Sequence, residues 1–499
     1  MNFKNTEIEY DDDLKPIDMQ PLFYPKTMAV IGVSQNKIGG IKYVIANDVS
    51  GYMQAGGKVY PINPKYKELY GYKVYPSLFD PEVPNIDLAI IAVPAAAVPD
   101  VVRDCGKKRV KFAVIFSSGF AESGNFDLQK KLEDAIEEAK RYTRFIGPNC
   151  LGINNPYSHV SYYPGMASAP GNVSYVSMSG GNTGRLTTWL VTQGMGINNA
   201  VSIGNSIDLT ATDFINYFRE DPKTKVIALY LESVPNGRKF MKALKAATLK
   251  KPVVLWKGGQ TEVGQKATVS HTGGLAGSYE IWKSMAYQTG SFLADYFEMF
   301  ADFVTCLSLD YYLPNDENVA ILVCGGGISV EYADMCIKAG LKVPELSKET
   351  QNKLAEVFPS VNVSFRNPLD LGEYGYVPHY FDKALRIVAK DPNISSILYV
   401  REAERFILFQ DVIGIPNMDQ LTIKLLIESS KIIKKPLFCS MSPNGQELEH
   451  YEPRFNFKVA MLKNNLAVVD LVPHACELIK QMVRYKRYLD AHKNNSSKY

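Results

Sequence analysis

Cysteine is scarce in this chain, with 7 in 499 residues, scattered from Cys105 to Cys476 and without a C-x-x-C pair. An odd, dispersed set fits neither a disulfide framework nor a zinc site, so no metal centre is expected and a reducing, cytoplasmic setting is. Net charge is nearly absent too: 55 Lys and Arg against 52 Asp and Glu leave +3. That balance gives no electrostatic reason to expect nucleic acid or an anionic membrane as partner. The Asp11-Asp12-Asp13 run and the basic tail after Lys480 read as solvated ends. Long apolar runs are missing. The longest, Leu88 to Pro99, has 12 residues and two prolines, short of the roughly 18 needed to cross a bilayer. Met1 to Gln20 carries six acids and no apolar stretch, so neither a secretory nor a mitochondrial leader is expected. No G-K-S or G-K-T ends a glycine loop, which excludes a P-loop, and no G-x-G-x-x-G fingerprint occurs.

What remains is an ordinary globular composition, 46% hydrophobic and 21% charged. At roughly 100 to 200 residues per domain, the length suggests about three domains, each able to bury its own core. Apolar β-rich runs recur, each followed by a turn and a stretch of helical period, as in βαβ units. Thr27 to Gly32, Ile86 to Val93 and Phe112 to Phe116 are such runs, and Leu128 to Tyr142 reads as a charged amphipathic helix. Strands of continuous Val and Ile are those of a parallel sheet covered on both faces. The fold class is α/β. A Pro/Gly-rich break from Asn155 to Gly171 separates this series from a second, which holds Val173 to Ser177, Val226 to Leu231 and Pro252 to Trp256. After the polar stretch Asp310 to Asp316, a third series holds Val319 to Cys324, Ile394 to Val400 and Pro436 to Ser440. The expected domains are therefore 1–165, 166–312 and 313–499. Lys-Lys-Pro-apolar recurs at Lys250 and at Lys434, a weak echo suggesting a shared topology for the second and third.

In a parallel sheet the ligand lies beyond the carboxyl ends of the strands, so the loops there carry the information. Gly32-Val-Ser-Gln-Asn-Lys-Ile-Gly39-Gly40 is like a phosphate-binding βα turn, with Lys37 adding a charge and the glycines close backbone approach. The plain alternative is a glycine turn without a ligand. Gly147-Pro-Asn-Cys-Leu-Gly152 shares that edge; nothing adjacent to Cys150 supplies a base, so it reads as a small neutral residue lining a pocket. Ser177-Met-Ser-Gly-Gly-Asn-Thr-Gly184 could present free N–H groups and a helix dipole to a phosphate. Glu232 stands where a cleft would be, or else caps the following helix. Between Gly258 and Gly277 fall six glycines and one histidine, His271, flanked by Ser270 and Thr272. So glycine-rich a loop is expected to be a mobile functional segment. Neutral imidazole is nucleophilic near pH 7, and a carboxylate such as Glu232 holding one ring nitrogen would free the other for attack.

Several motifs in one order carry a resemblance: Ala29-Val-Ile-Gly-Val-Ser34, Val59-Tyr-Pro-Ile-Asn-Pro64, Gly147-Pro-Asn-Cys-Leu-Gly152, Ser202-Ile-Gly-Asn205, Tyr230-Leu-Glu232, Ser270-His-Thr-Gly273 and Asn367-Pro-Leu-Asp-Leu-Gly372. From about Pro21 to Pro473 the chain resembles the NDP-forming acyl-CoA synthetases, the superfamily of succinyl-CoA synthetase, and especially the α subunit of ADP-forming acetyl-CoA synthetase. The resemblance implies a Rossmann-like CoA-binding domain followed by two flavodoxin-like ligase domains. It implies a reversible transfer from acyl-CoA and phosphate, through acyl phosphate and a phosphohistidine, to ADP. His271 would be phosphorylated, Glu232 would orient it, and Ser179, Gly180 and Gly181 would hold the phosphoryl group. Gly32, Ser34, Lys37, Pro64, Val93 and Pro94 would hold the CoA nucleotide, with Asn149 and Cys150 near the thioester.

Two departures stand out. Met178 replaces a glutamine common in relatives. No ATP-grasp-sized region remains, so the resemblance implies a separate ATP-grasp β subunit carrying Mg2+ and ADP or ATP, in an α2β2 assembly, with a small carboxylic acid, its acyl-CoA and phosphate as substrates. A non-catalytic CoA-binding regulatory protein is the alternative, disfavoured by retention of both His271 and Glu232. An NAD-dependent dehydrogenase fails on the glycine loop and on Asn63-Pro64, where an acid for the ribose is needed.

Overall fold

The computed structural model describes residues 14–272, 277–359, 362–442 and 448–496, with the backbone alone given for 269–272, 403, 407, 411, 448–450 and 494–496. The chain is an α/β protein whose described residues form three large sheets and a two-stranded hairpin, Glu68–Leu69 with Tyr72–Lys73. The first comprises β1 (Thr27–Ile31), β2 (Lys58–Ile62), β3 (Leu88–Ile91), β4 (Phe112–Ile115) and β5 (Arg144–Ile146), all parallel, in the order β2-β1-β3-β4-β5. β3 and β4 are buried at every position, as apolar runs covered on both faces must be. β2 contains Pro61, which is tolerated because this strand is an edge and one flank needs no N–H.

The second sheet has β6 (Gly152–Asn154), β7 (Pro170–Ser177), β8 (Ile197–Ser202), β9 (Val226–Leu231), β10 (Val253–Lys257) and β11 (Phe292–Ala294), in the order β11-β10-β9-β7-β8-β6. Only β6 runs antiparallel. It is the chain leaving the first sheet, which pairs with the edge of the second before the crossover begins. The third sheet has β12 (Val319–Val323), β13 (Leu369–Asp370), β14 (Ser396–Arg401), β15 (Leu437–Met441) and β16 (Ala467–Val469), all parallel, in the order β13-β12-β14-β15-β16. Each sheet thus reverses direction beside its first parallel strand, between β1 and β3, β7 and β9, and β12 and β14. Such switch points open a crevice at the carboxyl ends.

Two compact units result, Met1–Thr192 with Gly196–Phe297, and Gln193–Met195 with Glu298–Tyr499. The first holds the first two sheets and the second holds the third. Inside the first unit the loops after β5 and β8 are locked together. Asn205 N–H donates to the Pro148 carbonyl at 3.0 Å, Ile207 N–H to Gly147 at 3.1 Å and Leu209 N–H to Phe145 at 3.0 Å. The Asp208 carboxylate accepts from Phe145 N–H at 2.8 Å and takes the Arg144 guanidinium through Nε and Nη2.

Gly204 is required here. Its φ is +52°, and an added Cβ would stand 2.2 Å from the Pro148 carbonyl oxygen. Gly204→Ala is expected to cost about 2 kcal/mol or more through backbone strain and the forced parting of the two loops. A thermal or urea melt checks this, and an unchanged midpoint would show that the loops separate freely.

Candidate active site

In the first sheet the switch point is assembled by close backbone approach. Gly32 follows β1 at φ +94°, and a Cβ there would meet the Ala92 carbonyl oxygen at 2.4 Å and Val93 Cγ1 at 2.8 Å. The loops after β1 and β3 therefore abut, which brings Gly32 to Val93 and Pro94. Ser117 Oγ donates to the Val93 carbonyl at 2.5 Å, and Asn149 N–H donates to the Ser117 carbonyl at 3.0 Å, so the loops after β3, β4 and β5 form one chain of contacts. Asn63 Nδ2 donates to the Val33 carbonyl at 2.7 Å, fastening the Pro64 turn to the β1 loop. Within that loop Ser34 Oγ accepts from Asn36 N–H at 3.4 Å. The Lys37 ammonium lies 5.2 Å from the Tyr70 ring, whose hydroxyl donates to the Gln35 carbonyl at 2.7 Å. Every first-domain residue singled out in the sequence thus lies along one edge.

Cys150 is 4% exposed, with Sγ at 3.5 Å from the Ile115 carbonyl and 3.6 Å from that of Ile146. Burial pushes its thiol up to about 12, so the group is neutral at physiological pH.

In the second sheet the switch brings the Ser179 turn to Glu232. Ser179 heads the helix Gly180–Thr192 and caps it, its Oγ accepting from Asn182 N–H at 3.3 Å. The N–H groups of Gly180 and Gly181 belong to the first helical turn, which has no intrahelical acceptor for them. β9 ends at Leu231 and Glu232 follows it directly, so alternation places Tyr230 and Glu232 on one face. The Tyr230 hydroxyl donates to Glu232 Oε1 at 3.1 Å. Burial first, and then the charge and hydrogen bond of Glu232, raise the Tyr230 phenol, while the Asn182 side chain bonds to it and acts the other way. Asn182, Tyr230 and Glu232 thereby connect the helix N-terminus to the carboxylate.

Glu232 is 4% exposed and its backbone N–H donates to Met178 Sδ at 3.3 Å. It is not the cap of the next helix; Asn236 is, accepting from Lys239 N–H at 3.1 Å. Gly258 backs onto it, since a Cβ there would meet Tyr230 Oη at 2.5 Å and Glu232 Cγ at 3.0 Å. Buried Lys257 is held below its ordinary value by burial and drawn back up by the Glu232 charge. Sequence reasoning missed Tyr230 and Lys257 as site groups, although strand alternation from Glu232 pointed to Tyr230.

The stretch around His271 differs from the expected loop. Residues Glu262–Thr272 form a helix, whose first turn is held by Thr261: Gly264 N–H donates to its Oγ1 at 3.2 Å and Gln265 N–H to its carbonyl at 2.7 Å. Only Gly264 falls inside; the other glycines cluster outside, where they do not oppose helix formation. His271 is in the last turn. Its side chain and residues 273–276 lie outside those described. The helix runs beside the Ala121–Ser123 turn of the first domain. Adjacent Glu122 is fastened there: burial opposes its charge, but the Gly119 and Phe120 N–H groups and the Asn205 amide hold its carboxyl below the usual range.

The two domains also touch at the Ser179 turn. A Cβ on Gly180 would stand 2.6 Å from Leu151 Cδ1, and Leu151 N–H donates to Ser202 Oγ at 3.1 Å. The Asn149–Cys150 loop and the Gly180 helix N-terminus therefore lie side by side.

Residues 26–156 match the CoA binding domain and residues 170–307 the succinyl-CoA ligase like flavodoxin domain. ADP-forming acetate–CoA ligase I of Archaeoglobus fulgidus is 39% identical over 386 residues, covering 77% of this chain and 54% of that protein. The α subunit of ADP-forming acetate–CoA ligase I of Pyrococcus furiosus is 34% identical over 434 residues, covering 85% of this chain and 90% of that one. Among solved structures, the dinucleotide forming acetyl-coenzyme A synthetase 1 of Ca. Korarchaeum cryptofilum, in complex with phosphate and ADP, superposes with a TM-score of 0.79 at 29% identity, covering 95% of this chain and 99% of that one. The chain belongs to the family of ADP-forming acyl-CoA ligases that includes these proteins. It spans about half the length of the first curated relatives it matches.

With its thiol neutral and enclosed, Cys150 is expected to resist iodoacetamide at pH 8 in the folded protein and to react once unfolded. Peptide mass spectrometry reads this directly, and rapid alkylation of folded protein would mark an accessible, activated thiolate.

Proposed function

We propose that this chain is the α subunit of an ADP-forming acyl-CoA synthetase. It interconverts acyl-CoA, ADP and phosphate with a carboxylic acid, CoA and ATP. The observation that carries the reading is a juxtaposition: the CoA-type loops of the first sheet meet the Gly180 helix N-terminus, and Asn182 and Tyr230 tie that N-terminus to buried Glu232.

In this reading Gly32, Ser34, Lys37, Pro64, Val93 and Pro94 hold the CoA nucleotide, and Asn149 and Cys150 flank the thioester. An oxygen of inorganic phosphate attacks the acyl carbon, and the CoA sulfur leaves, giving acyl phosphate. A ring nitrogen of His271 then attacks phosphorus, and the carboxylate leaves. Glu232 accepts a hydrogen bond from the other ring nitrogen, which stabilises the charge that develops on the imidazole. The N–H groups of Gly180 and Gly181, with Ser179 as the cap, stabilise the phosphoryl oxygens. Tyr230 keeps Glu232 oriented by donating to it, and Lys257 balances its charge.

Nucleotide chemistry is assigned to a separate ATP-grasp β subunit, in an α2β2 assembly. On this reading Mg2+ and ADP or ATP are held by that partner; among the described residues of this chain no group of three His, Cys, Asp or Glu gathers. The likeness to the Pyrococcus α subunit, 90% of which is covered, supports a partner subunit. No helix among the described residues is long and apolar enough to cross a membrane.

Acetyl-CoA with radiolabelled phosphate should place an acid-labile, base-stable label on His271. His271→Ala should abolish it, and Glu232→Gln should slow it about 10²-fold or more; a labelled, active His271→Ala protein would overturn the reading. Lys37→Ala should weaken CoA binding about ten- to a hundredfold by calorimetry, the worth of one charge-assisted bond. Phosphorylation of His271 from ATP and the β subunit should be nearly unchanged in that variant. Equal loss in both reactions would assign Lys37 to the fold.

A further inference from the structure

Lys42 is 6% exposed, a buried cation in the first turn of the helix Ile41–Val49. Two penalties meet there. Burial removes the ammonium from water, and the positive end of the helix dipole repels it. No carboxylate offsets either one: among the described residues Lys42 makes no ion pair or hydrogen bond, and burial alone lowers its ammonium to about 8. Its surroundings are aromatic. Nζ lies 4.0 Å from the Phe116 ring centroid, 5.1 Å from that of Tyr43 and 5.9 Å from that of Tyr163. Tyr163 is 55% exposed, so the aromatic enclosure is open to solvent on that side.

Phe116 follows β4, and two strand spacings of roughly 4.8 Å separate β4 from β1. The ammonium therefore reaches away from the Gly32–Lys37 loop. It turns instead toward the residues after β5: Tyr43, beside it in sequence, stacks edge-on with Phe116 at 5.6 Å and donates to the Leu151 carbonyl at 3.0 Å. Leu151 in turn abuts the Gly180 helix N-terminus. The cage around Lys42 is thus linked to the loop after β5 and, through Leu151, to the Gly180 helix N-terminus.

We propose that Lys42 is a specificity-determining residue that pairs with an anionic oxygen group at the far end of the acyl chain, so that the favoured acid is a dicarboxylic acid. The inference rests on the reading that acyl-CoA binds this domain with its thioester near Asn149 and Cys150. An incoming carboxylate offsets both penalties that Lys42 bears, and the aromatic faces position the ammonium without neutralising it. The same chemistry could come from a phosphate of CoA itself, and the two sources separate by experiment.

The purified full-length chain is titrated by calorimetry with CoA, acetyl-CoA, butyryl-CoA and succinyl-CoA. Wild type is expected to bind succinyl-CoA about tenfold or more tighter than butyryl-CoA, which has the same chain length without the carboxylate. Lys42→Met should erase that preference while binding CoA and butyryl-CoA within about threefold of wild type, and Lys42→Arg should retain most of it. The Met variant should melt no lower than wild type, since it replaces a buried charge by an apolar chain of similar length. Equal binding of succinyl-CoA and butyryl-CoA by wild type overturns the proposal and leaves Lys42 a packed cation. A parallel loss for CoA itself in Lys42→Met also overturns it, by assigning the lysine to a CoA phosphate. Failure of wild type to bind any CoA species overturns the underlying reading as well, and so is told apart from the other outcomes.

Discussion

The site depends on the run of hydrogen bonds between residues 145–151 and 202–209. Backbone donors from Asn205, Ile207 and Leu209 read out the carbonyls of Pro148, Gly147 and Phe145 in turn. The Arg144–Asp208 pair closes one end, and the bond from Leu151 N–H to Ser202 Oγ closes the other. This run fixes the exit of the first sheet against the second before any ligand is present. Because β6 then pairs with the edge of the second sheet, the Asn149–Cys150 loop is held from both sides. Preorganisation of that kind places fixed dipoles around reacting atoms without further ordering at the moment of reaction.

The second constraint is topological. The parallel strands of the three large sheets share one order, and in the second this puts the Ser179 turn and Glu232 side by side although they stand 53 positions apart in sequence. The third sheet repeats the device. Its switch lies between the glycine turn after β12 and Glu402 after β14, and Glu402 also accepts from a tyrosine, Tyr376, at 2.7 Å. The Lys-Lys-Pro echo has a physical counterpart. Lys251 Nζ donates to the Asp221 carbonyl and Lys435 Nζ to the Asp391 carbonyl. In each case the aspartate precedes a proline and the lysine precedes the next strand, so the cation caps a carbonyl at the foot of the adjacent strand. Burial lowers both ammonium groups, which is tolerable because each has its oxygen.

Apolar, doubly covered strands were legible in the sequence because their chemistry and their position coincide. Phe112–Ile115, Val226–Leu231 and Val319–Val323 lie within a residue of where their Val and Ile runs stand. β8 was not legible: Ile-Asn-Asn-Ala-Val-Ser reads as a polar turn. Its asparagines are buried only because Asn155 bonds Asn199, and Asp221, Ser174 and Thr224 bond Asn198, and partners so distant leave no local signal. β6 was hidden inside a Pro/Gly-rich break, being a three-residue edge made by tertiary pairing. The helix that holds His271 in its last turn was obscured by counting glycines rather than locating them, since they flank the helix and leave its interior nearly free. At the site, loop positions were readable from motif order, whereas Lys257 was not, because a lysine at a strand end carries no mark of burial.

The departure at Met178 shows how the second switch tolerates change. Met178 is 5% exposed and its sulfur accepts the Glu232 backbone N–H at 3.3 Å. A glutamine at this position offers an oxygen acceptor, stronger than a thioether but of similar reach. Methionine therefore weakens one bond behind the carboxylate and adds apolar bulk beneath it. The carboxylate itself is oriented from the other side, by the Tyr230 hydroxyl and by the close approach of Gly258, and those contacts do not depend on residue 178. In the proposed reading the substitution bears on rate rather than on the identity of the reaction, because a looser support behind Glu232 costs orientation in the transition state while leaving each reacting group in place.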